Sequence, residues 1–117
     1  MSKNIIWTVE GSIKLGQKET LLSLMNEMVS EVQQEPGTIT YEWTLGTDGD
    51  SLHVYERYQD VAATFAHLGT WGKFAERFMA SVDITNFVVF SDLPPELKEA
   101  VSGLNPVYMS PIGGFAK

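Results

Sequence analysis

The longest patterned stretch of the chain runs from Tyr58 to Val82, and its apolar residues recur at helical spacing. One apolar stripe contains Val61, Phe65, Leu68, Ala75 and Met79, and an adjoining stripe contains His67, Trp71, Phe74 and Phe78. The charged residues Lys73, Glu76 and Arg77 fall together on the far side. The pattern predicts an amphipathic helix that buries a wide face, with the His67 imidazole at its margin. Asp60 is placed to cap its start. The Gly69–Thr70 pair predicts a break into two shorter helices.

Apolar and β-branched residues predict four strands, at residues 4–10, 38–45, 51–58 and 83–90. The turn from Gly46 to Asp50 joins the second and third strands into a hairpin. On the third strand one face carries Leu52, Val54, Glu56 and Tyr58, and the other carries His53, Tyr55 and Arg57. The first and fourth strands are apolar on both faces, which is typical of strands that are covered on both sides.

Helical spacing also predicts a first helix from Gly16 to Glu35, ended by Pro36–Gly37. Its apolar face contains Leu21, Met25, Met28, Val29 and Val32. A short helix is expected from Pro95 to Ser102. The tail from Asn105 to Lys117 contains Pro106 and Pro111, which confine any strand there to the edge of a sheet.

The resulting order, β-α-β-β-α-β, predicts an α+β, ferredoxin-like antiparallel sheet with both helices on one face. We expect one domain over residues 1–117, with a core at about 4–92 and a C-terminal extension at 93–117. The open sheet face predicts a two-fold homodimer with His53 and Tyr55 in the interface, and the tail is expected to reach the partner.

Composition excludes several classes of function. The chain has 117 residues, a net charge of −7 and no cysteine. The acidic charge argues against nucleic acid and anionic membranes, and the missing cysteines exclude disulfides and thiol chemistry. The two histidines do not have metal-ligand spacing, and no Gly-rich phosphate loop is present, so we expect a colourless protein without metal or other cofactor. No signal core or membrane-length apolar run is present, which favours the cytoplasm.

Three stretches resemble the antibiotic biosynthesis monooxygenase (ABM) family, whose fold is a dimeric α+β barrel. They are EPGTITYEW at 35–43, VYERYQDVAATFAHL at 54–68 and NFVVF at 86–90. The resemblance implies a ligand pocket between the sheet and the helices, and oxygenation of a quinol- or anthrone-like aromatic without metal or flavin. Related haem-degrading proteins use an Asn, a Trp and a later His. Asn4 and Trp71 match the first two, but position 81 is Ser, so haem degradation is disfavoured.

His67 is the candidate catalytic residue, as a base or hydrogen-bond donor to a substrate oxygen. The alternative is a structural histidine held by the backbone or by Glu56. A carboxylate on an apolar strand face needs a partner, so Glu56 is expected to orient His67 or to pair with Arg57 or Arg77.

The candidate substrate pocket consists of Trp71, Tyr41, Glu56, Phe74 and Phe78. Flat aromatic side chains can stack on a flat substrate, but the same residues also serve as ordinary core. The rival function is a non-catalytic dimer that binds a small apolar metabolite. The volume of the pocket distinguishes the two functions, because a pocket that holds a bicyclic aromatic has a volume on the order of 300 Å3.

Overall fold

A computed structural model describes residues 3–117 and contains a mixed five-stranded sheet with helices packed on one face. The strands are β1 (Ile5–Ile13), β2 (Thr38–Leu45), β3 (Ser51–Tyr58), β4 (Val82–Val89) and β5 (Val107–Tyr108). The helices are α1 (Lys18–Val32), α2 (Val61–Ser81) and α3 (Pro95–Val101), followed by a short helical turn at Ser102–Leu104. The predicted α+β ferredoxin-like fold is confirmed.

The sheet order is β2-β3-β1-β4-β5, and every pair except β4–β5 is antiparallel. β5 is the predicted edge strand in the proline-containing tail. The register places Glu56 between Trp7 on β1 and Tyr41 on β2. All three side chains therefore point to the face that the helices cover, because directly paired residues share a face.

The buried residues form two clusters beneath the helices. The first packs α1 and the C-terminal half of α2 on the sheet and contains Ile13, Leu21, Leu24, Met28, Leu52, Val54, Phe74, Phe78 and Val82. The second lies under α3 and contains Ile5, Trp7, Tyr58, Phe87, Val89, Leu93, Leu97 and Val101. The candidate site lies where these two clusters meet.

The expected break in the long helix is wrong, because α2 runs without interruption from Val61 to Ser81. Gly69 and Gly72 both lie on its exposed side. Each glycine costs only about 1 kcal/mol in a helix interior, and packing of the buried residues on both sides outweighs this cost. The predicted cap is confirmed, since the Asp60 carboxylate accepts a hydrogen bond of 2.9 Å from the Ala63 amide.

The buried face of α2 is also different from the expected one. Phe65 and Met79 are 39% and 43% exposed, whereas Phe74 and Phe78 are buried. His67 is only 4% exposed and so lies inside the core rather than at its margin. The stripe that contains His67 therefore packs on the sheet.

Smaller differences concern the ends of the other elements. α1 begins two residues later than predicted and ends at Val32, and it buries Leu24, whereas Met25 and Val29 are partly exposed. β1 continues past Glu10 to Ile13 through a β-bulge at Glu10–Gly11. Gly11 is required there, because a Cβ atom would lie 2.6 Å from the Val82 side chain.

No helix formed by residues 3–117 covers the second face of the sheet. Its residues include Ile6, Thr8, Glu42, His53, Tyr55, Arg57 and Val88. The C-terminal tail passes one side of this face, where Pro111 and Phe115 line a shallow groove with Ile6 and Arg57. None of the helices within residues 3–117 is long and apolar enough to cross a bilayer.

Candidate functional site

Three ionisable side chains, two of them buried and one partly buried, form a chain between the sheet and α2. His67 Nδ1 lies 3.1 Å from Glu35 Oε1, and His67 Nε2 lies 3.2 Å from Glu56 Oε1. His67 is 4% exposed and Glu56 is 6% exposed. The imidazole is therefore held between two carboxylates and shielded from water.

Separate elements supply the three residues. Glu35 follows α1, Glu56 is on β3 and His67 is on α2. Glu35 is fixed by its own neighbour along the chain, because the Thr38 hydroxyl donates to its Oε1 at 2.6 Å. The Pro36–Gly37 turn brings this carboxylate under α2, and Gly37 packs so closely that a Cβ atom there would meet that of Ala63 at 2.4 Å.

Glu56 collects further donors at the same oxygen that faces His67. The Trp7 indole N–H donates to Glu56 Oε1 at 2.9 Å, and the Tyr58 hydroxyl donates to it as well. No hydrogen bond from the described residues reaches the second oxygen, Oε2. Glu56 thus has one carboxylate oxygen left to accept a hydrogen bond.

The electrostatics of this chain favour a protonated imidazole. Burial by itself lowers the pKa of His67, but the Glu35 and Glu56 carboxylates outweigh burial and raise the pKa to about 9. Burial raises the pKa of Glu35, but the contacts with His67, Thr38 and Thr70 lower it below its usual range. At neutral pH the imidazole is therefore protonated, and it faces the ionised carboxylate of Glu35.

A cavity of about 40 Å3 lies beside this ionic chain. Its lining is mainly aromatic and aliphatic and consists of Trp7, Val9, Met28, Tyr41, Trp43, Val54, Glu56, His67, Leu68, Trp71, Phe78, Ile84, Phe87 and Leu104. A buried water needs about 10–15 Å3, so the cavity can hold a few waters. It is much smaller than the 300 Å3 expected for a bicyclic aromatic ligand.

Aromatic rings form most of the cavity wall. Phe78 meets Trp71 edge-on at 5.2 Å between ring centroids and Trp43 at 5.9 Å. Tyr41 lies 6.0 Å from Trp43 and 5.6 Å from the His67 ring. Burial, together with the charges of Glu56 and Glu35, raises the pKa of Tyr41 well above its usual value, so Tyr41 is a neutral phenol.

The structure brings together most of the residues singled out in the sequence. His67, Glu56, Trp71, Tyr41 and Phe78 all line the cavity. Phe74 does not, since it packs in the core between α1 and α2. The expected contact of Glu56 with His67 is present, and Glu56 pairs with neither Arg57 nor Arg77.

Both His67 nitrogens lie beside carboxylates, so neither nitrogen is free to take a proton from a ligand in the cavity. The sequence analysis did not identify Glu35 as a site residue. The one feature of the sequence that could have indicated it is its position directly before the Pro36–Gly37 turn.

One buried donor on the cavity wall has no acceptor. Trp43 Nε1 and Glu35 Oε2 are the buried side-chain polar atoms of residues 3–117 that lack a hydrogen-bond partner. The Thr70 hydroxyl lies near the Glu35 carboxylate. The Tyr41 hydroxyl lies close enough to the Trp43 indole N–H for this contact to lower the pKa of Tyr41, but the contact falls outside ordinary hydrogen-bond geometry. No group of three or more possible metal ligands occurs among the described residues.

Comparison with known proteins gives a family match over most of the chain. A sequence model described as antibiotic biosynthesis monooxygenase matches residues 5–81. This range contains Glu35, Glu56 and His67 and ends before β4 and the C-terminal extension. No curated protein sequence matches the chain significantly.

Solved structures share the fold at low sequence identity. MupZ from Pseudomonas fluorescens has a TM-score of 0.87 at 17% identity, covering 100% of this chain and 91% of that chain. SnoaB, a cofactor-independent oxygenase from Streptomyces nogalater, has a TM-score of 0.68 at 12% identity, covering 80% and 96%. Rv0793 from Mycobacterium tuberculosis has a TM-score of 0.65 at 20% identity, covering 78% and 96%.

Proposed function

Because the chain belongs to the antibiotic biosynthesis monooxygenase family, we propose that it is a cofactor-independent monooxygenase acting on a quinol- or anthrone-like aromatic. The observation that carries the proposal is the aromatic-walled cavity with the Glu35, His67 and Glu56 side chains in contact along one side. SnoaB, which shares the fold, is described as a cofactor-independent oxygenase. That description supports the reaction class.

The proposed reaction uses the substrate as the source of electrons. An anthrone loses a proton to give a phenolate-like anion, and this anion passes one electron to dioxygen. The resulting radical and superoxide combine at the carbon as a peroxide anion, and the proton removed first returns to it to give a hydroperoxide. Loss of water from the hydroperoxide leaves a carbonyl. One oxygen atom of dioxygen enters the product and the other leaves as water. The protein has to accept a proton, stabilise the anion and exclude water.

Glu56 is the group that we assign to the substrate proton. It lines the cavity, and its Oε2 is unoccupied by the described residues. His67 acts from behind as a cation that stabilises negative charge on Glu56 and on the substrate oxygen. The raised pKa of His67 makes it a poor general base at neutral pH, so this assignment replaces the expectation of a free His67 base.

Trp71, Tyr41 and Phe78 would hold the flat ring of the substrate. A ring system of two or three rings requires the cavity to widen from about 40 Å3. Leu68, Trp71 and Leu104 are among the lining residues that are partly exposed, and their displacement would widen the cavity. Leu104 belongs to the C-terminal extension, beyond the part matched by the family.

The direct test is dioxygen uptake with an anthrone, corrected for uptake without protein. We expect Glu56→Gln and His67→Ala to lower uptake per folded molecule by about 100-fold, the usual scale for lost proton transfer. Arg77→Ala is the matched control, because it removes only an exposed ion pair with Glu27 from the same helix. Melting temperatures establish the folded fraction of each sample. Uptake that equals the protein-free rate, or that is the same in all variants, would contradict the proposal.

A second candidate function is a non-catalytic dimer that binds a small apolar metabolite. Two observations favour it: the small cavity and the occupation of both His67 nitrogens by carboxylates. It predicts that an aromatic ligand binds without any dioxygen uptake. It also predicts that His67→Ala lowers stability while leaving no activity to lose. The same samples therefore decide between the two functions.

A further inference from the structure

We propose that the Trp43 indole N–H is a ligand hydrogen-bond donor in the cavity, and that the ligand is a planar aromatic with an oxygen acceptor at the Trp43 end. The ligand class rests on the proposed function, whereas the role of Trp43 as a donor rests on the cavity alone. Trp43 is on β2, outside the ionic chain of Glu35, His67 and Glu56.

The first argument is the missing acceptor. An indole N–H can only donate, and burying a donor without a partner destabilises the folded protein. Trp7 satisfies its indole N–H by donating to Glu56. The Trp43 side chain is partly exposed, but its Nε1 atom is buried and makes no hydrogen bond of ordinary geometry within residues 3–117, although the Tyr41 hydroxyl lies near it. An unpaired buried donor is tolerated at a site where another molecule supplies the acceptor.

The second argument is the position of Trp43 on the cavity wall. Trp43 lines the cavity together with Tyr41 and Phe78, and each of these rings meets it near edge-on. The indole is therefore held in orientation by its neighbours. A fixed donor on an otherwise apolar wall is the arrangement that orients a ligand and selects it.

The third argument concerns the two polar ends of the cavity. Glu56 and His67 contribute an acceptor and a positive charge, and Trp43 contributes a donor. The complementary ligand has a carbonyl or phenolate oxygen that accepts from Trp43. Its second oxygen lies at the other end, either as a hydroxyl that donates to Glu56 or as a carbonyl that faces the positive charge of His67. Quinones, quinols and anthrones carry oxygens on opposite sides of a flat ring system. A plain hydrocarbon would leave the Trp43 donor unsatisfied.

The test uses para-naphthoquinone, which dioxygen does not oxidise, and naphthalene, which has the same two rings without oxygen. The chain has no cysteine that the quinone could modify. The 3 tryptophans give three indole signals in a nitrogen–proton correlation spectrum, and the signal missing from Trp43→Phe identifies Trp43. We expect this signal to move downfield with para-naphthoquinone and not with naphthalene.

Calorimetry gives the matching affinities. Trp43→Phe keeps an aromatic ring against Phe78 and removes the N–H. We expect it to weaken para-naphthoquinone binding about five- to tenfold, the scale of one hydrogen bond, and to leave naphthalene binding within about twofold. The melting temperature of the variant shows that it is folded.

Three results would overturn the inference: a Trp43 signal that does not move at saturation, an equal loss of affinity for both probes, or no binding of para-naphthoquinone to the wild type. The first result would mean that the Trp43 N–H donates only to trapped water and not to a ligand. Because no turnover is measured, failure of the monooxygenase proposal leaves this test unaffected. Conversely, dioxygen uptake can be present when Trp43 plays no part.

Discussion

At the scale of the residue, the central feature is a buried imidazole between two carboxylates. Burying charges is costly, and such a chain holds only when each charge has close partners. Glu35 and Glu56 both lie within 3.2 Å of His67. Trp7 and Tyr58 supply donors to Glu56. The chain joins α1, α2 and the sheet, so it supports the fold and shapes the cavity at the same time.

The raised pKa of His67 predicts a pH dependence of stability. The imidazolium is favoured in the folded state, where its pKa is about 9 against 6.5 for an ordinary histidine. The stabilisation is therefore complete below about pH 6.5 and is lost as the pH rises through about 9. Its size is on the order of 3 kcal/mol. Urea unfolding across this pH range measures it.

The matched pair of variants for this measurement is His67→Gln and His53→Gln. His53 lies on the open sheet face, outside the ionic chain. His67→Gln should lose the decline of the unfolding free energy between about pH 6.5 and 9, and His53→Gln should keep it. A wild-type protein whose stability is constant or rises over this range would show that His67 is neutral in the folded state.

At the scale of the element, α2 shows how tertiary packing outweighs local preference. Gly69 and Gly72 favour a break, but His67, Phe74 and Phe78 lie on one buried face on either side of them. A continuous helix keeps all three side chains on the sheet. Two helices at an angle would expose part of that face to water, at about 25 cal/mol for each Å2 of apolar surface.

A continuous α2 predicts that Gly69→Ala and Gly72→Ala each stabilise the protein by about 0.5–1 kcal/mol, because alanine is the better helix former and both sites are open. Gly16→Ala is the matched control, since Gly16 is also unobstructed but has a φ of +79° and should be destabilised by alanine. Thermal unfolding of the three variants measures the expected stabilisation by Gly69→Ala and Gly72→Ala and the expected destabilisation by Gly16→Ala. Destabilisation by Gly69→Ala would indicate that the helix is broken in solution.

At the scale of the whole molecule, the sheet has one covered and one open face. The open face combines the apolar residues Ile6, Tyr55 and Val88 with charged ones. The tail beside it exposes Ile112 and Phe115 at 99% and 85%. We propose that a second copy covers this face and that the tail contacts the partner, which would remove these side chains from water.

The dimer proposal predicts that Val88→Lys, on the open face, lowers the particle mass towards 13.0 kDa at micromolar concentration. Leu15→Lys is the control, because Leu15 is fully exposed and lies outside that face. Ile112→Ser with Phe115→Ser should weaken association without unfolding the core. Sedimentation velocity reports all three. A wild-type particle of 13.0 kDa at that concentration would rule the dimer out.

The sequence alone was sufficient for the order of elements from β1 to α3 and for four of the five strands. β2 and β3 have their predicted bounds, because alternation with period 2 follows directly from the pleat of the backbone. The Asp60 cap was predictable because its partner is only three residues away. The shared inner face of β3 also placed Glu56 towards α2, where His67 was expected.

Only the tertiary structure decided which partners these residues have. Glu35 and His67 are 32 positions apart, and Trp7 and Glu56 are 49 positions apart. No local pattern encodes such pairs, because they depend on how whole elements pack. The continuity of α2, the small cavity and the unsatisfied Trp43 donor are likewise results of packing. Backbone periodicity determines which face a side chain occupies, and the packing of separate elements determines what it meets there.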